Sequence, residues 1–251
     1  MIKKYFMALI PGILLCISLA GCTSMSIAPA SAPESRKSAP AVSGKAEAIS
    51  VKPGDDLQSA VDNCKSGQKI ILKQGRYDIK GTISVKDKEN IILEGEGEVW
   101  LDTKGIDHQV LTFKGCRGIV VKNIKAQHVI LEEKDNLHIE DGREGSVVGV
   151  YSSGRITFEN CELVGCGIYG IFTENTEEVR INGCYIHHNS LNALYFSNRL
   201  GTTNVYIKGS RIINNAGYAV KEGNINIFAD ESNTLENNTP EAYNTTRGLK
   251  K

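Results

Sequence analysis

The sequence repeats one pattern in three aligned segments: RITFENCELV at 155–164, EVRINGCYIH at 178–187 and NVYIKGSRII at 204–213. Each segment places two apolar residues two positions apart, an alternation that is typical of a half-buried β-strand. Such pairs recur 20 to 37 residues apart along the chain: Ile91/Leu93, Ile119/Val121, Ile156/Phe158, Val179/Ile181, Val205/Ile207 and Ile225/Ile227. Irregular repeats of this length, without helical periodicity, indicate a solenoid of strands.

A sharp bend is predicted two positions after each apolar pair. Glycine and asparagine accept a left-handed backbone at little cost, and they hold that position in five repeats: Gly95, Asn123, Asn160, Gly183 and Gly209. The residues that follow the bend should stack as a ladder inside the solenoid, where Cys161 and Cys184 are neighbours. Both thiols are expected to be free and buried, since free cysteine behaves as a small apolar side chain; a disulfide between them is the alternative.

A third strand follows in four repeats, at 149–151, 170–172, 193–195 and 219–221. Each coil therefore has three short strands joined by turns, which predicts three parallel sheets around a dry core. The open end of such a solenoid exposes strand edges and needs a cover. An amphipathic helix at 55–64 should cap the N-terminal opening, because its apolar residues have helical spacing: Leu57, Ala60, Val61 and Cys64.

The beginning of the repeat region resembles the start of the pectate-lyase-like β-helix superfamily. The matching residues are PGDDLQSAVD at 53–62, IIL at 70–72, GRY at 75–77 and NIILEGEG at 90–97. The resemblance extends over about residues 51–230. It implies an all-β domain at 51–240, a single-stranded right-handed parallel β-helix of three short sheets with an N-terminal capping helix.

Residues 1–21 are predicted to be a lipoprotein signal peptide. Lys3 and Lys4 precede an apolar segment at 6–19, and the following Leu19-Ala20-Gly21-Cys22 resembles the lipobox of bacterial lipoproteins. The resemblance implies cleavage before Cys22 and acylation of that residue; an ordinary cleaved signal, with Cys22 incidental, is the alternative. The apolar segment is short for a membrane span, which needs roughly 20 residues.

The predicted location is extracytoplasmic, with the protein anchored to a membrane by its lipid. Thr23 after the cysteine would favour the outer membrane in a Gram-negative cell. Residues 22–50 are rich in Ser, Ala and Pro and are interpreted as a flexible tether, and 241–251 as a polar C-terminal tail. The formal net charge is zero, so the charge balance offers no support for nucleic-acid binding.

The outward side of the third strand is predicted to bind substrate. It carries Tyr151, Phe172 and Tyr195 on successive repeats, beside a row of small residues that would leave the rings exposed as a shallow apolar track. Sugar rings present C–H groups on their faces, so a polysaccharide can lie on such a track. In the superfamily that the chain resembles, the saccharide cleft also lies along one sheet. Mutual packing of the rings is the alternative.

Catalytic residues are harder to assign from the sequence. Pectate lyases of this superfamily use clustered aspartates for calcium together with an arginine, and no such aspartate ladder occurs on the third-strand positions. No cofactor or metal is therefore predicted, although a lyase of this superfamily would be expected to use calcium. A charged loop at 132–146 should overhang the track. The catalytic candidates are the acidic and basic residues near that face, which form a diffuse set: His138, Asp141, Arg143, Glu174, Arg199 and Lys221.

His187 and His188 lie on a turn, and adjacent side chains of an extended chain point apart, so they are not expected to share a metal. The predicted function is that of a lipid-anchored envelope protein that binds polysaccharide, or acts as a scaffold, along one sheet face. The alternative is a polysaccharide lyase or epimerase with a non-standard active site. A helper in assembly or metal insertion, a role that such repeats also serve, is a third possibility.

Overall fold

The computed structural model describes residues 47–104, 108–128, 145–165, 168–221 and 223–238. The predicted signal peptide, the lipidation site Cys22, most of the tether and the C-terminal tail lie outside these ranges. Within the described ranges, no helix is both long and apolar enough to cross a bilayer. The described residues form a solenoid of about seven coils with parallel strand pairing, which confirms the fold predicted from the repeats.

Each coil contributes strands to three faces of the solenoid. The first face consists of β1 (Ile49–Val51), the first part of β2 (Lys69–Ile79), the first part of β4 (Ile92–Thr103), β6 (Arg117–Lys122), β9 (Gly154–Glu159), β12 (Glu178–Asn182), β15 (Thr203–Lys208) and β18 (Ile225–Ala229).

The second face consists of the remaining parts of β2 and β4, followed by β7 (Lys125–His128), β10 (Glu162–Val164), β13 (Tyr185–His187), β16 (Arg211–Ile213) and β19 (Thr234–Glu236). The third face consists of β3 (Ile83–Lys86), β5 (Leu111–Lys114), β8 (Val148–Tyr151), β11 (Ile171–Glu174), β14 (Leu194–Ser197) and β17 (Val220–Lys221).

The three faces make two hydrogen-bonded sheets. β2 and β4 continue through the first corner, so the first and second faces merge into a 13-stranded sheet, while the third face is a separate 6-stranded sheet. Later coils turn that corner at left-handed residues, as predicted, with φ of +51° to +62° at Asn123, Asn160, Gly183 and Gly209. The bend predicted at Gly95 is wrong. That residue lies within β4, and it is glycine because a Cβ there would collide with the carbonyl oxygen of Asn123 on the next coil.

Helix α1 (Leu57–Asn63) covers the N-terminal opening, as predicted. The carboxylate of Asp56 caps the helix by accepting a hydrogen bond from the backbone N–H of Ser59 at 2.9 Å. Leu57 and Val61 are buried, and the helix packs against β1 and β3. The strand edges of the first coils are thereby shielded from solvent.

Inward residues of successive coils form one continuous apolar core. Along the first face, two rows stack in register: Ile156, Val179 and Val205, then Phe158, Ile181 and Ile207. Each of these side chains is at most 2% exposed. Burying one such side chain is worth roughly 1.5–3 kcal/mol, so these rows hold adjacent coils together.

The corner between the second and third faces contains a ladder of buried asparagines. The Nδ2 group of Asn189 donates to Oδ1 of Asn215 at 2.8 Å, and Nδ2 of Asn215 donates to Oδ1 of Asn238 at 2.8 Å. The residue before each asparagine has a left-handed backbone, with φ of +53° to +56°. Asn215 therefore both accepts and donates along the solenoid axis, which satisfies its amide in an interior without solvent.

Candidate functional site

The third face carries four outward, half-buried aromatic side chains, called the aromatic cluster below: Tyr151, Tyr169, Phe172 and Tyr195. Phe172 and Tyr195 pair in register on β11 and β14, with ring centroids 5.7 Å apart. Tyr151 on β8 lies 5.7 Å from Phe172. Tyr169, in the turn before β11, lies 5.9 Å from Phe172 and 4.9 Å from Tyr195. The rings thus form one connected group on three adjacent coils.

The predicted register of Tyr151 is wrong by two residues. β8 places Gly149 beside Phe172, whereas Tyr151 pairs with Glu174. The side chain nevertheless points outward, because a shift of two residues preserves the alternation of a strand. The cluster is therefore staggered rather than a straight row, and Tyr169 contacts both Phe172 and Tyr195. Burial raises the pKa of the Tyr169 phenol.

Polar side chains border the aromatic cluster. Gln109, just before β5, donates from Nε2 to the hydroxyl of Tyr151 at 2.5 Å. It has room to lie across β8 because residue 149 is glycine, and a Cβ there would collide with the Gln109 amide. At the other end, Lys221 pairs with Tyr195, and its ammonium lies 5.0 Å from the centroid of the Tyr218 ring. The cluster therefore has hydrogen-bonding groups at both ends.

The predicted catalytic candidates do not converge within the described residues. Glu174 lies on β11, Lys221 lies two coils further along on β17, and neighbouring strands are about 4.8 Å apart. Arg199 is exposed in the turn after β14, where its backbone N–H donates to Oδ1 of Asn175 at 3.0 Å. His138, Asp141 and Arg143 lie outside the described residues. Across the described ranges, no three His, Cys, Asp or Glu side chains are placed to hold a metal ion.

The second face carries a charged ladder that the sequence analysis did not identify. Six outward residues pair in register on successive coils: Arg76, Trp100, Lys125, Glu162, Tyr185 and Arg211. The Arg76 guanidinium and the Lys125 ammonium each lie 4.8 Å from the Trp100 ring centroid. Lys125 also bridges the carboxylates of Glu98 and Glu162 at 3.1 and 3.2 Å. The charged groups of this ladder are thus paired with one another or with its aromatic rings through ion pairs and cation–π contacts.

His187 and His188 meet on the second face, contrary to the expectation that their side chains point apart. The left-handed backbone of His188, with φ of +55°, brings the two Nδ1 atoms to 2.6 Å. His187 Nε2 lies 3.3 Å from a carboxylate oxygen of Glu162. Burial lowers the pKa of His187, while the hydrogen bond to Glu162 opposes that effect. The imidazole of His187 also stacks on the Tyr185 ring, with centroids 3.7 Å apart.

Aromatic residues of the first face lie at its C-terminal end. The rings of Tyr206 and Phe228 stack with centroids 4.8 Å apart. The Arg180 guanidinium lies 4.3 Å from the Tyr206 ring centroid on its other side. Only Phe228 is strongly exposed in this stack, at 50%. The third face therefore has the largest connected group of outward rings among the described residues.

Comparison with known proteins agrees with this architecture. Residues 146–246 match a family model described as a right handed beta helix region. The chain is a right-handed parallel β-helix protein. The coils before the matched residues continue the β-helix with the same parallel register.

Sequence relatives and solved structures extend the comparison. Human SHC SH2 domain-binding protein 1 is 24% identical to the β-helix chain over 200 residues, which are 74% of this chain and 30% of that protein. The chain spans about three tenths of the length of the curated relatives it matches. A pectin methylesterase in complex with a hexasaccharide has a TM-score of 0.52 at 12% identity, covering 77% of this chain and 66% of the enzyme chain. ORF18 of Geobacillus virus E2 has a TM-score of 0.51 at 15% identity, covering 77% of this chain and 41% of that chain. These structural likenesses show the fold alone.

Proposed function

We propose that the protein binds a polysaccharide along the third face of the β-helix, with the aromatic cluster as the contact surface. One observation carries this proposal: four half-buried rings lie on three adjacent coils, with centroid distances of 4.9–5.9 Å. Ligand sites combine an apolar or aromatic surface with a few polar groups that fix orientation. Here the rings offer faces and edges to sugar C–H groups, and Gln109, Glu174 and Lys221 offer hydrogen bonds at the border.

The other two faces are less suited to stacking sugars. Both sides of the Trp100 indole on the second face are occupied by cations. Tyr185 is likewise enclosed, since His187 stacks on its ring and the Arg211 guanidinium lies 4.8 Å from its centroid. On the first face, Tyr206 lies between Arg180 and Phe228. On these faces a sugar would have to displace cationic side chains from the rings, which would reduce the net gain from binding.

The proposal includes a membrane anchor on Cys22 and hence an envelope location. Each acyl methylene that enters the bilayer contributes about 0.8 kcal/mol, and more than one chain gives stable attachment. The lipobox-like Leu19-Ala20-Gly21-Cys22 supports this part of the proposal. The pectin methylesterase complex supports the other part, because it is a case in which a protein of this fold holds a hexasaccharide.

Binding is tested by titrating the purified protein with polygalacturonate, alginate and a neutral β-glucan. Tyr195→Ala removes a ring that contacts both Phe172 and Tyr169. A stacked ring is worth about 0.5–1.5 kcal/mol, so the Kd should rise roughly 2–13-fold. The matched control is Tyr206→Ala, which truncates a half-buried ring of the first face.

Wild-type affinity in Tyr206→Ala, together with weakened binding in Tyr195→Ala, is the expected result. Equal affinities in the wild type and Tyr195→Ala would contradict a role for the aromatic cluster. Absence of binding to all three polysaccharides would reject the proposal for these ligands. The same mixtures, assayed for unsaturated or reducing-end products, test the lyase alternative. Product release that persists after thorough repurification would replace the binding function by catalysis.

A further inference from the structure

Two thiols are stacked on adjacent coils at the first corner of the β-helix. Cys161 and Cys184 each follow a left-handed residue and each precede a strand, and those strands, β10 and β13, pair in register. The backbone N–H of Tyr185 donates to the Cys161 carbonyl oxygen at 2.8 Å. The side chains are only 2% and 1% exposed, and both thiols are free. The structure thus agrees with the sequence expectation of free, buried neighbours.

The stacking of two thiols is specific to this pair among the described residues. The same ladder holds Ile124 on the preceding coil, and on the following coil Ser210, whose Oγ accepts from the Cys184 N–H at 3.1 Å. Cys116 lies at a different corner, with its Sγ 3.4 Å from the Val85 carbonyl oxygen. Cys64 follows helix α1 at the N-terminal end. Among the described residues, each thiol of the stacked pair therefore has only the other within reach for a disulfide bond.

We propose that Cys161 and Cys184 are an oxidation site that closes to an inter-coil disulfide in an oxidising compartment. Neighbouring strands lie about 4.8 Å apart, and disulfides join Cα atoms roughly 4.4–6.8 Å apart. The bond therefore requires rotation of two side chains within the space that they already share. It needs no displacement of the coils. This inference does not rest on polysaccharide binding.

The oxidation proceeds by thiol–disulfide exchange with an external disulfide, such as glutathione disulfide or a thiol–disulfide oxidase. The thiolate of one cysteine attacks the oxidant, which forms a mixed disulfide and releases one oxidant thiol. The second thiolate then attacks the cysteine sulfur of the mixed disulfide and releases the other oxidant thiol. Two protons and two electrons leave the cysteine pair and reduce the oxidant disulfide to two thiols.

The environment of the pair sets the timing of these steps. The hydrogen bond from Cys184 lowers the pKa of Cys161, and the same contact, with burial, raises the pKa of Cys184. In the closed coils, Cys161 is therefore the more readily ionised of the two thiols. Because both sulfurs are buried, an oxidant reaches them during folding or local opening far more readily than in the closed coils. Oxidation should accompany folding after export rather than follow it.

The disulfide would join two coils that also form the aromatic cluster. Cys161 is on the coil that continues to β11 with Phe172, and Cys184 is on the coil that continues to β14 with Tyr195. A covalent bond between these coils opposes their separation. The redox state would then affect the rigidity of the third face from the opposite side of the core.

Peptide mapping of the full chain tests the proposal. The protein is unfolded, reduced, and refolded with either reduced glutathione or glutathione disulfide, and the remaining thiols are then alkylated. The expected product of oxidised refolding is a linked pair of peptides that contain Cys161 and Cys184. A cross-link that closes a loop of this length should raise the Tm by about 7–14 °C over the reduced form. Cys161→Ser should remove the linked peptides and this difference, whereas Cys116→Ser should retain both.

Alkylation of both Cys161 and Cys184 after oxidised refolding would overturn the proposal. A linkage of either residue to Cys166, which lies outside the described residues, would overturn it as well. Peptide mapping of the wild type gives this answer even if the Cys161→Ser variant does not fold. Variants at Tyr195 have no bearing on the linkage, so failure of the polysaccharide proposal leaves this result readable.

Discussion

Ile181→Asp tests the inward phase of the strands, on which the assignment of every face depends. Ile181 is fully buried on β12, between Phe158 and Ile207 of the neighbouring coils. The substitution removes an apolar side chain and places a carboxyl group in the dry core. An ionised carboxylate is not tolerated there without a partner, so the group should take up a proton at the cost of a raised pKa.

The expected loss of stability comes from two terms. Lost burial of the isoleucine costs about 2–3 kcal/mol. A carboxyl pKa raised by roughly three over its unfolded value costs about 4 kcal/mol at neutral pH. The combined loss of about 6 kcal/mol is a large part of the 5–15 kcal/mol typical of a folded domain. For a domain of this size it corresponds to a Tm lower by about 12–24 °C.

Thermal unfolding followed by circular dichroism at pH 7 and pH 4 measures both terms. At pH 4, the aspartate is protonated in the folded state and about half protonated in the unfolded state, whose pKa is about 3.9, so most of its electrostatic cost disappears. The deficit of the variant should therefore be smaller at pH 4 and should grow as pH rises. Asn182→Asp is the matched control, because it adds the same carboxyl group one residue away on the outward side. If the two variants have equal Tm values at pH 7, the assigned strand phase is incorrect.

Three further predictions use other parts of the chain. Cys22→Ser should move the protein from the membrane fraction to the soluble fraction, and unchanged detergent partitioning would refute acylation at that residue. Asn215→Ala breaks the buried ladder and removes the hydrogen-bond partner that Asn189 and Asn238 share. The free energy of unfolding, measured with denaturant, should therefore fall by about 2–4 kcal/mol. An equal effect of Asn226→Ala, at an exposed asparagine, would argue against the ladder as the cause. Burial lowers the pKa of folded His187, so its contribution to stability is present above the unfolded value of about 6.5 and is lost as pH falls below it. The wild type should then lose more Tm between pH 7.5 and 5.5 than His187→Gln, and parallel pH profiles would contradict this.

The sequence predicted the coils well because their core residues alternate with a period of two. Pairs of inward residues such as Val179 and Ile181 recur from coil to coil with that alternation. The left-handed corners use asparagine or glycine because these residues adopt a positive φ at little steric cost. The corner at Gly95 was mispredicted because local sequence does not reveal that β4 continues through the bend. The glycine is required there because the backbone of the next coil approaches too closely for a Cβ.

The candidate site was less predictable because outward residues have few constraints. The predicted register of Tyr151 was off by two residues. The segment before β8 is longer than in other coils, and nothing in the sequence marks where that strand begins. Tyr169 lies in a turn and shares no alternation with Phe172, although tyrosine beside the small residue Gly170 was an available signal. The second-face ladder from Arg76 to Arg211 was missed for a related reason: its members share a register across coils but no common residue type.

The asparagine ladder also implies that the β-helix can change its length by whole coils. Asn189 and Asn215 are 26 residues apart, and each is bonded to the next amide along the axis. Removal of residues 190–215 would join Asn189 to the segment that now follows Asn215, so that Asn189 would face Asn238 directly. The ladder would close over the deletion with one rung fewer. Gain or loss of such a unit would lengthen or shorten the outer faces in steps of about 4.8 Å, which is a way for related chains to match ligands of different extent without redesigning a corner.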